Sequence, residues 1–227
     1  MKLLIGNKNY SSWSMRPWVL LTHFDIPFEE VMARFDSFAP DSTFKATVAA
    51  ASPAGKVPIL VEDDGFSVWD TLAIAEYVAE KYPDKALWPR DARLRARARS
   101  VCAEMHSGFG ALRNCFGMNI EASLPEVGPR VLTENPATQA DLDRMVQLWR
   151  DALTSSGGPF LFGTYSIADA YFAPVATRIR TYGLPVPADV SAYIDRALAA
   201  KGTAAWMRDA LQEKEFLQFE EPYRTSP

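Results

Sequence analysis

The hydrophobic period of this 227-residue chain changes once, and that change limits the folds open to it. Up to Tyr82, short strand-like runs alternate with helix-like ones. Lys2 to Ile5 reads as a strand, and Trp18 to Leu21 with Phe24 has helical spacing. Phe28 to Arg34 reads as a second strand, followed by a Pro/Asp/Ser/Ala-rich stretch to Ser52. Val57 to Glu62 and Phe66 to Trp69 are two strands joined by the turn signal Asp63-Asp64-Gly65. Leu72, Ala75, Tyr77, Val78 and Tyr82 then space out a helix that stops at Pro83-Asp84. After Pro89 the strand pattern is gone. Leu94, Ala98, Val101, Met105, Phe109, Leu112 and Phe116 recur at three- and four-residue steps, predicting one helix from about Asp91 to Phe116. Further helices are predicted around Leu142 to Leu153, Ile167 to Tyr182, Val190 to Leu198 and Thr203 to Leu211. The chain therefore reads as α/β plus all-α: residues 1–82 form one domain, 83–90 a linker and 91–227 a helical domain.

Composition removes several alternatives. Lys and Arg number 24 against 28 Asp and Glu, with 48% hydrophobic residues, so the chain is too rich in core formers for a disordered one. A formal net charge of -4 lacks the basic footprint of a nucleic-acid partner. No apolar run nears the roughly 18 to 20 residues of a membrane span, and the apolar start breaks at Asn7-Lys8-Asn9. Cys102 and Cys115, with only His23 and His106 besides, suggest neither a disulfide framework nor a metal site. A reducing cytoplasm is the expected compartment.

Two stretches carry chemistry. In Tyr10-Ser11-Ser12-Trp13-Ser14-Met15-Arg16-Pro17, a proline is tolerated only where its missing N–H had no helical partner. Pro17 thus predicts a helix N-cap at about residue 14 or later. Ser14 is the capping candidate, and Ser11 and Ser12 fall in the loop ahead of it. A positive helix end attracts anions, a thiolate included, yet three serines at such a place also read simply as caps and turn formers. No Gly-x-Ser-x-Gly elbow accompanies them. In the second stretch, Lys56-Val57-Pro58 puts proline at a strand entrance, and Asp70-Thr71 opens a helix as a capping pair that also offers free N–H groups to a carboxylate.

Together with Ser166-Ile167-Ala168-Asp169, these stretches in this order resemble the cytosolic glutathione S-transferases over Met1 to about Leu211. The resemblance implies a thioredoxin-like N-terminal domain followed by a C-terminal helical bundle, glutathione as co-substrate, a small electrophilic second substrate and a homodimer. The segment Ser11 to Arg16 is similar to the Ser-Ser-Cys-Ser-x-Arg of the zeta class. It implies that Ser11, with Ser12 as the alternative, activates the glutathione sulfur. Trp13 stands where that class has cysteine, which argues against cysteine chemistry. The resemblance places Lys56, Val57, Pro58, Asp70 and Thr71 around glutathione, and it makes Ser166 and Asp169 a buried capping box aided by Tyr165. For the electrophile it leaves Tyr10, Trp13, Met105, His106, Phe109 and Arg113. His106 and Arg113, seven apart, share a face of the predicted helix, and an anionic or carbonyl-bearing substrate fits if that face meets the cleft. His23 reads as structural.

The chemistry such a site needs is modest in size. A thiol of pKa near 8.5 is only about 3% ionised at pH 7. Bringing it to about 6.5 takes roughly 2.7 kcal/mol, within reach of one charge-assisted hydroxyl hydrogen bond of about 1.5 to 3 kcal/mol and a helix end of about 0.3 to 1. Because nucleophilicity falls with pKa, the net gain is only about threefold. Holding the electrophile beside sulfur must supply most of the rate. Three functions follow: glutathione transfer to small hydrophobic electrophiles, glutathione-dependent cis–trans isomerisation of an unsaturated dicarboxylic acid, or a noncatalytic binding module that kept the fold.

Overall fold

A computed structural model describes residues 1–226; Pro227, the last residue of the expected helical domain, lies outside it. The first part is a four-stranded sheet of order β2-β1-β3-β4. Strand β1 (Lys2–Ile5) runs parallel to β2 (Glu29–Met32) and antiparallel to β3 (Ile59–Val61), which pairs antiparallel with β4 (Ser67–Trp69). Helix α1 (Ser12–His23) makes the crossover between the parallel pair, a short α2 (Thr43–Ala49) precedes β3, and α3 (Thr71–Lys81) follows β4. The β3–β4 turn is where the sequence puts it, with Gly65 at φ +89° and its N–H donating to the Glu62 carbonyl at 3.0 Å. Leu3, Ile5 and Leu60 enter the main core with α1 and α3; Leu4 and Ile59 enter a smaller cluster with Tyr10, Phe35 and Phe44. This two-sided burial follows from the alternation of strand side chains.

Helices make up the rest: α4 (Ala92–Ser107), α5 (Gly110–Cys115), α6 (Val127–Glu134), α7 (Pro136–Ser156), α8 (Ile167–Thr181), α9 (Ala188–Ala199) and α10 (Lys201–Glu213). Local signals set most of their ends. Asn135 caps α7 with Pro136 in its first turn, and Gly157 closes it at φ +64°. Ser166 and Asp169 form the expected capping box on α8, Ser166 Oγ accepting from Ala168 N and Asp169 Oδ2 accepting from Ser166 N at 2.9 Å. Asp169 is buried and also accepts from Leu161 N and Tyr193 Oη, both at 3.1 Å. Tyr165 stacks flat on His23 at 3.6 Å, which places His23 in the packing as expected.

Two elements differ from the sequence expectation. The single helix predicted over Asp91 to Phe116 is two. Phe109 sits in the left-handed region at φ +54° between Gly108 and Gly110, and the ladder breaks there. The apolar spacing survives because Met105, Phe109 and Leu112 still reach one core across the break. Helix α1 starts at Ser12, earlier than Pro17 allows by the proline rule. The N–H missing at Pro17 would have served the carbonyl of Trp13, and Thr71 Oγ1 donates to that oxygen instead at 3.2 Å. Ser14 is consequently no cap. It lies inside the helix, fully buried, with its Oγ accepting from Gly6 N at 3.1 Å.

Helix α10 returns to pack on α1, where Gly202 lies so close that a Cβ would stand 2.1 Å from the Val19 carbonyl oxygen. No helix among the described residues is long and apolar enough to cross a membrane.

Candidate active site

A cleft of about 300 Å³ opens between the sheet part and the helices, lined by Trp13, the Ala54 to Pro58 loop, Trp69, Asp70, Thr71, His106 and Arg113. Four separate segments meet here. Helix α1 brings Trp13, the loop before β3 brings Lys56, Val57 and Pro58, the start of α3 brings Asp70 and Thr71, and the α4–α5 break brings His106 and Arg113. The Val57–Pro58 peptide is cis.

At the start of α3, Asp70 is held at φ +75°, a backbone region that disfavours residues other than glycine and recurs at functional sites. Its Oδ1 accepts from Leu72 N and Ala73 N at 2.9 and 3.3 Å, so the capping expectation holds. Its Oδ2 faces the cleft, 3.5 Å from His106 Nε2. Thr71 spends its hydroxyl on Trp13, leaving its main-chain N–H as its donor toward a ligand.

Trp13 is bracketed by cations. The Arg16 guanidinium lies 4.3 Å from its ring and that of Arg113 5.6 Å away. Arg16 is buried, with Nε donating to the Tyr171 carbonyl at 2.8 Å and Nη1 to that of Ser12 at 3.2 Å. Burial lowers its pKa to about 10, still far above neutrality, so it keeps its charge. Arg113 Nη1 donates to the carbonyls of His106 and Met105 at 3.0 and 3.4 Å, closing the open end of α4. His106 and Arg113 thus meet through the helix break rather than along one helical face.

Ser11 is the N-cap residue of α1, and its hydroxyl makes no capping bond. It pairs with Ser14 Oγ at 2.7 Å. Ser11 and Ser12 are nearly buried and are not among the residues lining the cleft, although Trp13, next in the turn, is. Three electrophile candidates lie elsewhere. Met105 and Phe109 are core residues, because the period that suggested them is the period that buries them. Tyr10 packs in the smaller cluster, and its hydroxyl donates to Glu221 at 2.6 Å.

That last contact belongs to a strap the sequence did not announce. Residues 213–224 cross the loop ahead of α1. Glu213 accepts from Lys8 N and Asn9 N at 2.7 and 3.1 Å, Glu215 accepts from Asn7 Nδ2 at 2.6 Å, and Phe219 meets Phe38 edge-on. Glu221 is buried between Tyr10, Asn119 and Arg224. The run of glutamates with Phe216, Phe219 and Tyr223 is the only local sign of it, and its partners lie about 200 residues away.

Two family profiles match the chain: glutathione S-transferase N-terminal domain over residues 10–81 and glutathione S-transferase C-terminal domain over 120–209. A Caenorhabditis elegans "Probable maleylacetoacetate isomerase" is 34% identical over 103 residues, 45% of this chain and 45% of that protein. The maleylacetoacetate isomerase of Pseudomonas aeruginosa is 38% identical over 71 residues, 31% of this chain and 34% of that one. The chain therefore spans less than half the length of these two curated relatives. Among solved structures, a glutathione transferase homolog from Burkholderia with bound glutathione is 25% identical. The two superpose with a TM-score of 0.68 over 92% of this chain and 97% of the other.

Proposed function

We propose that this chain, which belongs to the glutathione S-transferase family, adds the thiolate of glutathione to small hydrophobic electrophiles. The observation that carries this is the convergence on one cleft of the α1 start, the Lys56-Val57-Pro58 loop and the Asp70-Thr71 helix start. In this reading residues 1–82 bind glutathione, 83–90 link, and 91–227 supply the electrophile wall. Val57 pairs with the cysteinyl backbone, Lys56 reaches the glycyl carboxylate, and Asp70 with the Thr71 N–H holds the γ-glutamyl group. The sulfur sits at the N-terminus of α1, where the N–H groups of Trp13 and Ser14 have no acceptor among the described residues. Ser11 supplies the activating hydroxyl, Ser12 being the alternative, and Trp13, His106 and Arg113 face the electrophile. A homodimer acting in the cytoplasm completes the proposal.

A second reading, cis–trans isomerisation of an unsaturated dicarboxylic acid, draws on the two isomerase relatives and on the cations Arg113 and Arg16 about Trp13. Glutathione titration followed by thiolate absorbance tests the common core. Saturable appearance of thiolate below pH 8 is expected, and binding without it would make the protein a passive carrier. Turnover of 1-chloro-2,4-dinitrobenzene against a maleyl compound separates the two enzyme readings.

A further inference from the structure

The turn ahead of α1 is anchored far more heavily than a crossover from β1 to α1 requires. Asn7, Lys8, Asn9 and Tyr10 are each at most 5% exposed, and each spends its side chain on a distant partner. Asn7 Oδ1 accepts from Phe35 N at 2.8 Å while its Nδ2 donates to Glu215. Lys8 Nζ reaches Asp209 and Glu30 at 2.6 and 2.8 Å. Asn9 Oδ1 accepts from Ile120 N and Glu121 N at 2.8 and 2.9 Å, and its Nδ2 donates to Asn119 Oδ1 at 3.0 Å. The Asn7 carbonyl in turn accepts from Tyr10 N and Ser11 N at 3.1 and 2.8 Å, so the anchors of the turn fix the backbone of Ser11 itself.

Glu221 closes this framework from the far end of the chain. Its buried carboxylate accepts from Tyr10 Oη at 2.6 Å, from Asn119 Nδ2 at 2.8 Å and from Arg224 at 2.6 and 2.9 Å. Asn9, Asn119, Glu221 and Tyr10 thus form one hydrogen-bonded ring over three segments far apart in sequence, completed by the Asn9–Tyr10 peptide. Burial, with help from Glu221, pushes the Tyr10 pKa up to about 12, so the phenol keeps its proton and donates it. Among the described residues none of 213–224 lines the cleft, and whatever this strap does for chemistry there passes through the turn.

A buried network whose members are all satisfied rigidifies what it holds and leaves it one geometry. A hydroxyl that stabilises a thiolate needs such rigidity, because it acts only within about 0.5 Å and 10 to 20° of its productive place. The Ser11 hydroxyl has a single hydrogen-bond partner among the described residues, Ser14 Oγ at 2.7 Å, so its place is set chiefly by the backbone of the turn. We propose that Glu221 is a positioning residue of the active site: through the Tyr10 hydroxyl it holds the turn that presents Ser11 to the sulfur of glutathione. The C-terminal segment thereby takes part in activating the thiol. This rests on the glutathione reading above, with Ser11 as the activating residue. Neither Glu221 nor Tyr10 touches the sulfur, and neither gives up a proton. Nor does the carboxylate act by its charge, since a negative group nearby disfavours a thiolate. It acts by geometry: with the link cut, the turn drifts and the bond from Ser11 to sulfur weakens.

The test is ultraviolet titration of glutathione bound to the full chain. Tyr10→Phe keeps the ring in its cluster and removes only the link to Glu221. It is expected to raise the pKa of the bound thiol by about 0.5 to 1 pH unit, half of what one charge-assisted hydrogen bond supplies. Glu221→Ala should raise it by a similar amount, although loss of a negative charge would by itself lower it. The double variant should move no further, because Glu221 acts through Tyr10. Glu221→Gln gives up the charge and keeps an oxygen for Tyr10, and it should restore most of the wild-type value. In a Ser11→Ala background all these shifts should vanish, which a general loosening of the cleft would not produce. If Glu221→Ala does not fold, Tyr10→Phe with and without Ser11 decides the matter. An unchanged thiol pKa in Tyr10→Phe, a lowered one in Glu221→Ala, or shifts that persist without Ser11 overturn the proposal while wild-type thiolate stands. Absence of bound thiolate in the wild type overturns the glutathione reading and this inference together.

Discussion

The hydroxyl of Thr71 donates to the main-chain oxygen of Trp13 at 3.2 Å, the oxygen that Pro17 leaves without its helical donor. One side chain of α3 thereby completes the first turn of α1 and fixes two walls of the cleft against each other. Thr71→Val should cost about 1 to 2 kcal/mol in urea unfolding, because Thr71 is buried and the Trp13 carbonyl is left without a partner. In a Pro17→Ala background, which returns the helical N–H, that loss should shrink to a few tenths. Equal losses in both backgrounds would show that the two residues act independently.

Ser11→Ala should raise the thiolate pKa of bound glutathione by about one to two pH units, the equivalent of one charge-assisted hydrogen bond. Stability should fall by only about 0.5 to 1.5 kcal/mol, the loss of the buried hydrogen bond to Ser14 Oγ, because the Ser11 hydroxyl caps nothing. Ultraviolet titration of the complex measures this. A shift in Ser12→Ala alone would transfer the role to Ser12.

Attachment of the strap should weaken as pH rises. Burial and the neighbouring Glu221 charge push the Glu220 carboxyl up to about 7. With the strap released, the proton leaves near its ordinary value of 4.5. The attached state thus binds more protons between about pH 4.5 and 7. Its advantage is full below that window and is lost as pH climbs through it. Hydrogen exchange of residues 214–224 should quicken from pH 5 to 8 after correction for intrinsic rates. Glu220→Gln should flatten the dependence, and an unaltered slope in that variant would assign it to another group.

Gly202→Ala should destabilise the protein by about 1 to 3 kcal/mol, since the new Cβ meets the backbone of Val19 and no flexible side chain is there to yield. Thermal or urea unfolding reads the loss. A neutral result would mean that α10 shifts off α1 without cost.

Asp169→Ala should cost about 3 kcal/mol or more, because it strips Ser166 N, Leu161 N and Tyr193 Oη of a shared acceptor in the interior. The folded fraction should retain glutathione affinity, as expected of a folding element remote from the cleft; calorimetry on the purified variant measures it.

What the sequence determined by itself about this protein was set by neighbours within a few residues. The Asp64-Gly65 turn, the Asp70 cap and the Ser166–Asp169 box were legible because each closes its hydrogen bonds within three or four positions. The order of strands and helices followed from apolar periods, which report burial without naming the partner. The same period could not separate core from cleft, so Met105 and Phe109 read like His106, and the Gly108-Phe109-Gly110 break was masked by spacing that persists across it. Tertiary structure decided what depends on distant groups. The start of α1 needs Thr71, 58 residues on; the seat of the His106 ring needs Tyr171, 65 residues on; the place of Tyr10 needs Glu221, 211 residues on. A polar side chain's task is fixed by whichever partner folding brings within 3 Å of it, and only the packed chain makes that choice.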